Sequence, residues 1–202
     1  MRFLRNNGLT IALFLAFAGS VVGMIWSGWR QQNQELSLHG QALLSLTGYL
    51  SDEAFWSALF ENWESEWLQM ATYVVLTAYL FQKGSSESRD PDKPEKKQDP
   101  GSGSWIYDHS LGLALLALFG LSFAGHFFAS LATYNSEAAL HGEAALTPLS
   151  YMGNAQFWFE SFQNWQSEFF STAMLVVLSI FLRYRGSPES KKVMAANQQT
   201  GD

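Results

Sequence analysis

The chain has 202 residues, 12 Lys and Arg against 18 Asp and Glu, a net charge of −6 and no cysteine. An acidic balance of this kind repels nucleic acid, and the absence of cysteine excludes disulfides and thiolate metal sites. The mean hydropathy of −0.03 would suit a soluble globule, yet it averages long apolar blocks with very polar ones, which is the pattern of a membrane protein.

The first block, Gly8 to Trp29, contains no charged residue and meets the requirement of about 20 apolar residues for a transmembrane helix. Arg2 and Arg5 before it, with Ala16-Phe17-Ala18 inside it, also suit a secretory signal peptide. The helix reading is preferred because the matching segment later in the chain is internal. The helix is expected to run on to His39, where Gly40 supplies a left-handed stop. Asp52 is a good N-cap for a returning helix that ends at Lys83-Gly84. Its uncharged run, Trp67 to Gln82, is about 16 residues and needs the preceding turn, with Glu66, to complete a span. Residues 85–104, rich in Ser, Gly, Pro, Lys, Glu and Asp, read as a flexible polar linker.

The second half begins with Ser110 to Thr133, a span in which His126 is the one titratable group. His141-Gly142 is the expected stop, Asn154 the next N-cap, and Arg185-Gly186 the end of the last helix. Here the uncharged run, Phe169 to Leu182, is about 14 residues and borrows the turn carrying Glu168. Residues 188–202 read as a disordered tail.

These halves are one unit written twice. Shifted by 102 positions, residues 5–88 lie over 107–190 without a gap, with about 30 identities. The overlay pairs His39-Gly40 with His141-Gly142, Tyr49 with Tyr151, Phe55-Trp56 with Phe157-Trp158, and Asn62-Trp63 with Asn164-Trp165. The expected fold is therefore an all-α membrane protein. Its four transmembrane helices form two tandem hairpins, residues 1–84 and 105–187, related by a pseudo-twofold axis along the membrane normal. Eleven of the twelve Lys and Arg fall at the termini and linker, and Arg30 alone falls on the opposite side, which places both termini and the linker in the cytoplasm. The outer segments carry ten acids. Small residues at Ala12, Ala16, Gly19 and Gly23, and at Gly112, Gly120, Ala124 and Gly125, allow close helix contact.

Three groups stand at one depth in this scheme. At 1.5 Å per residue, Glu66 and His126 each lie about 24 Å above the inner face, and the repeat puts Glu168 level with Glu66. An ionisable group at that depth is a candidate functional site. A buried polar cluster of Glu66, Glu168 and His126, framed by Asn62 and Asn164, could bind a cation or relay protons. The bland alternative is that Asn, Ser and Glu bond across helices inside an aromatic belt. Glu35 with His39, and Glu137 with His141, have a spacing that metals use, but a histidine in a last helical turn also serves as a cap. No P-loop, GxSxG, HExxH, CxxC or dinucleotide fingerprint occurs, so an enzyme is the least favoured class and no cofactor is called for.

The His-Gly pairs, the Phe-x-Asn-Trp-x-Ser-Glu-aromatic block at 60–67 and 162–169, and Gly-Ser-x-Glu-Ser at 84–88 resemble a bacterial integral membrane protein family known as a domain of unknown function. The resemblance covers nearly all of the chain outside linker and tail. It implies a small bacterial inner-membrane protein and supplies no activity, cofactor or catalytic residue. The expected role is a structural or accessory protein of the lipid bilayer, presenting acidic, aromatic helix tips to a membrane or periplasmic partner. The alternative is a cation-binding or proton-conducting protein. The change of Glu61 and Glu64 to Gln163 and Gln166 in the second copy argues against any role needing those acids in both halves.

Overall fold

The computed structural model describes residues 2–92 and 101–201, and among them the chain is all helix and turn, with no strand. Four helices are long: α1 (Arg2–Leu38), α3 (Glu53–Tyr79), α5 (Ser110–Leu140) and α7 (Ala155–Phe181), of 37, 27, 31 and 27 residues. Three are short: α2 (Leu46–Leu50), α4 (Trp105–Asp108) and α6 (Pro148–Tyr151). The first long helix continues unbroken through Arg30 to Leu38.

Four spans were expected, and two helices are long and apolar enough to cross a membrane by length and composition. These are Phe3–Leu38 and Ser110–Leu140, with mean hydropathies of 2.2 and 1.9 over their best stretches. The returning helices α3 and α7 fall short because Glu61, Glu64 and Glu66, or Glu160 and Glu168, occupy their first halves.

Gly40 and Gly142 take φ of 66° and 72° just past α1 and α5, the left-handed stop that glycine permits. Asp52 accepts from the Ala54 amide at 3.0 Å, and Asn154 from the Gln156 amide at 2.8 Å, so both act as N-caps. The helix ends differ from expectation. α3 stops at Tyr79 and α7 at Phe181, some four residues before Lys83 and Arg185. The hydroxyl of Ser88 takes the Gln82 amide at 2.8 Å, and that of Ser190 takes the Tyr184 amide at 2.8 Å, replacing the carbonyls a continuing helix would use.

The chain divides into two compact units, Met1–Trp56 and Ser57–Asp202. In the first, Asn33 pins the loop back onto α1: its amide donates to the Leu44 carbonyl at 3.0 Å, and its carbonyl accepts from the Leu44 amide at 2.7 Å. Trp29 adds an indole hydrogen bond to the same carbonyl at 2.8 Å. In the second unit, Asn135 makes the same pair with Leu146, at 3.0 and 2.7 Å. Other bonds also recur at the offset of 102. Trp56 and Trp158 donate to the carbonyls of Leu50 and Met152, and Ser65 and Ser167 to those of Asn62 and Asn164. The duplication thus extends from sequence to individual hydrogen bonds.

The core of the second unit is aromatic. Phe127, Leu131, Tyr151 and Phe157 are buried together, with Phe123, Tyr134, Leu146 and Trp158 packed around them. Between α3 and α7, Gln69 donates to the Glu168 carbonyl at 2.9 Å and to Ser171 at 3.2 Å.

Composition predicts a disordered tail, whereas residues up to Gly201 form successive turns held on the Gly84 loop. Lys191 is the anchor. Its side chain is buried, and its ammonium donates to the carbonyls of Gly84, Gln199 (2.9 Å), Asn197 (3.1 Å), Ile180 (3.3 Å) and Ala196 (3.4 Å). The three N–H donors of an ammonium taken out of water are thus shared among five carbonyl oxygens. Gly84 itself, at φ 88°, has the Asn197 carbonyl oxygen 2.6 Å from where a Cβ would stand, so no other residue fits.

Asn33→Ala and Asn135→Ala should each lower stability by ~1–3 kcal/mol, Asn135→Ala by the more, because it frees both the Leu146 amide and carbonyl whereas the Leu44 carbonyl keeps the Trp29 indole. Losses in that order are expected in thermal melts of the detergent-purified protein. A Lys191→Met chain should expose residues 192–201 to limited proteolysis while its helix content, read by circular dichroism, is unchanged.

Candidate functional site

The site lies in the second unit, where α3, α5 and α7 meet around His126. Its position follows from one steric feature. A Cβ on Gly125 would lie 2.8 to 3.0 Å from the ring carbons of Phe60, so glycine there lets Phe60 of α3 seat against α5. Glu61 and Glu64 follow Phe60 by one and four residues, within a single turn of helix. They therefore arrive beside the residue that follows Gly125.

His126 and Glu64 are both fully buried, at 0% exposure. His126 Nδ1 lies 3.1 Å from Glu64 Oε2. An ionised carboxylate only accepts, so Nδ1 carries the hydrogen. Glu64 Oε1 in turn accepts from the indole of Trp165 at 3.1 Å. On the other edge of the ring, Nε2 is buried without a hydrogen-bond partner, and Glu160 Oε2 stands 3.6 Å away.

Each remaining carboxylate is held from behind. Asn164 donates its amide to Glu61 Oε1, and Gln156 donates to Glu160 Oε1 at 3.0 Å. Ser130 donates to Glu160 Oε2 at 3.4 Å and shares a 2.6 Å hydrogen bond with the Tyr151 hydroxyl. Burial, opposed by that bond to Ser130, pushes the Tyr151 phenol above its ordinary pKa. One ligand atom from each of Glu61, His126 and Glu160 lies within 4.8 Å of the other two. One nitrogen and two oxygens so placed can hold a metal ion or share a proton.

Of the residues singled out by sequence, His126 and Asn164 belong to this cluster. Asn62 does not: its side chain is exposed and donates to the Ala58 carbonyl of its own helix at 2.8 Å. Glu66 is exposed and Glu168 half-buried. The reason is angular. Glu66 follows the buried Glu64 by two residues, about 200° around the helix, so depth was a poor guide where face decides. Glu61, Glu64 and Glu160 take their places. A signal for all of them existed in the repeat, since the sites pair as His126 with Met24, Glu160 with Ala58, Glu61 with Gln163 and Glu64 with Gln166. Each ionisable member stands where the other copy is neutral. The Glu-x-x-x-His pairs are helix caps, with His39 and His141 Nδ1 on the Glu35 and Glu137 carbonyl oxygens at 2.8 and 2.9 Å.

Fold and site together define an all-α protein built from a duplicated helical unit, with an acid and histidine cluster to which the first copy contributes Glu61 and Glu64 and the second His126 and Glu160. The chain belongs to the family of the domain of unknown function DUF6766, whose model matches it twice, over residues 1–104 and 93–202. No curated protein and no solved structure matches it.

Exchanging His126 for the residue of the other copy, His126→Met, leaves the buried Glu64 with the Trp165 indole as its remaining hydrogen-bond partner and should cost about 3–5 kcal/mol. Adding Glu64→Gln, again the residue of the other copy, should recover most of the loss. A double-mutant cycle of thermal melts measures the coupling.

Proposed function

We propose that the protein is a cation-binding integral membrane protein whose site is the cluster of Glu61, Glu64, His126 and Glu160. The carrying observation is the charge imbalance around a buried imidazole. Three carboxylates face one histidine that can supply a single positive charge, and Nε2 and Glu160 Oε2 confront each other at 3.6 Å without a hydrogen bond. Two electron-rich atoms so placed, one fully buried and the other on a half-buried side chain, call for a positive species shared by them.

The membrane setting is supported by α1 and α5. An apolar helix such as Phe3–Leu38, whose most apolar stretch has no buried residue within the fold, would present a very large greasy surface to water, and lipid is the solvent that suits it. In this proposal α3 and α7 return beside α1 and α5 as the second limbs of two hairpins related by a pseudo-twofold axis along the membrane normal. Both termini lie on the cytoplasmic side, in accord with eleven of twelve basic residues. A scaffold that merely presents helix tips to a partner would not need ionisable groups from both copies gathered at one place, each where the other copy is neutral.

A ligand that binds the folded state at 100 times its Kd stabilises it by ~2.7 kcal/mol, or about 5–10 °C in Tm for a chain of this size. Chelator-treated protein in detergent should show a rise of that order with at least one of Na⁺, K⁺, Mg²⁺, Ca²⁺, Mn²⁺ or Zn²⁺, or on acidification. The folded Glu61→Gln/Glu160→Gln variant should not respond. Equal responses in the two chains would return the cluster to a purely structural role.

A further inference from the structure

We propose that His126 Nε2, Glu61 and Glu160 are the ligands of one divalent first-row transition-metal ion, and that Glu64 orients the imidazole from behind. This deepens the cation-site reading and rests on it. The inference comes from the two edges of one ring. Nδ1 is committed to Glu64 at 3.1 Å, which fixes the tautomer and directs the Nε2 lone pair to the opposite side. That side holds Glu160 Oε2 at 3.6 Å and a Glu61 oxygen within the 4.8 Å cluster, and no hydrogen-bond donor meets Nε2 there. A carboxylate behind a histidine whose other nitrogen is free is the arrangement by which proteins raise the basicity of a metal-binding imidazole.

Size and chemistry agree. Three ligand atoms each ~2.1 Å from a tetrahedral metal stand ~3.4 Å from one another. Glu160 Oε2 is already 3.6 Å from His126 Nε2, and a Glu61 oxygen in the 4.8 Å cluster needs to move in by at most about 1.4 Å, within reach of a side-chain rotation. The carboxylates are already restrained, Glu61 by Asn164 and Glu160 by Gln156 and Ser130. A nitrogen donor with two carboxylates favours Mn, Fe, Co or Zn over Ca²⁺ or Mg²⁺, which take all-oxygen shells, and the chain has no cysteine to offer a softer metal. Three protein ligands leave at least one position open for water or substrate.

The test uses full-length, chelator-stripped protein in detergent, loaded with Mn²⁺ for pulsed electron paramagnetic resonance and titrated with Co²⁺ by visible absorption. The expected result is one ion per chain, with nitrogen coupling from a single imidazole in the Mn²⁺ spectrum. Glu64→Gln should keep the stoichiometry and weaken Co²⁺ binding 10- to 100-fold. His126→Gln should abolish the nitrogen coupling and weaken binding further. Should that variant fail to fold, the wild-type spectrum and Glu64→Gln decide. Mn²⁺ bound without nitrogen coupling, or Ca²⁺ and Mg²⁺ bound as tightly as Co²⁺ and indifferent to Glu64→Gln, would overturn the transition-metal assignment while leaving a cation site. Binding of no cation at all, with no response to acid, would remove the underlying reading as well.

Discussion

A carboxylate withdrawn from water must be answered by a donor or a positive charge, and the second unit is arranged around three that are answered to different degrees. Glu64 is complete: one oxygen meets the His126 ring and the other the Trp165 indole. That completeness binds α3 to α5 and α7 through a single side chain. It also fixes which edge of the imidazole is spent and which is left over. Glu61 and Glu160, each held by an amide on one oxygen, then stand beside the unspent edge. The unit is thus held together by one half of the cluster, while the other half leaves Nε2 without a hydrogen-bond partner.

Duplication explains how such a cluster can be tolerated. The bonds that shape each copy, from the Asn pin on the loop to the Trp clamp and the helix caps, occur in both at the same offset. None of them involves an ionisable group of the site. Where the copies diverge, one keeps Met24, Ala58, Gln163 or Gln166 and the other carries His or Glu. Folding information and site information therefore occupy different positions. A buried charge that costs stability can be added without disturbing the bonds that the two copies share.

That separation also accounts for what the sequence made legible. Helix starts and stops were readable because their signals are local: a glycine needing positive φ, an Asp or Asn before a run of helix formers. The helix ends near Lys83 and Arg185 were misplaced because the competing acceptors, Ser88 and Ser190, sit six residues further on. The tail looked too polar to order, yet its turns are fixed by one buried lysine and a glycine in contact with a distant carbonyl. For the site, His126 was visible as a lone imidazole in an apolar span. Its partners were not, since a search for acids shared by both copies discards Glu61, Glu64 and Glu160 from the outset. Only the helical face, set by Phe60 on Gly125, selects Glu64 over Glu66.

One further exchange between the copies shows how little separates a packing residue from a member of the site. In the first unit Tyr49 lies against Gly28 so closely that a Cβ there would meet the phenol oxygen at 2.0 Å. The equivalent pair in the second unit is Tyr151 and Ser130, whose hydroxyls share a hydrogen bond of 2.6 Å. Ser130 also reaches Glu160 at 3.4 Å. A side chain of two heavy atoms in place of a hydrogen thus turns a tyrosine that only fills space into the far end of a polar chain leading to the carboxylate. Because burial holds the Tyr151 phenol above its ordinary pKa, that end stays protonated at neutral pH and adds no further negative charge to an acid-rich pocket. The second copy thus carries Glu160 together with a neutral means of restraining it.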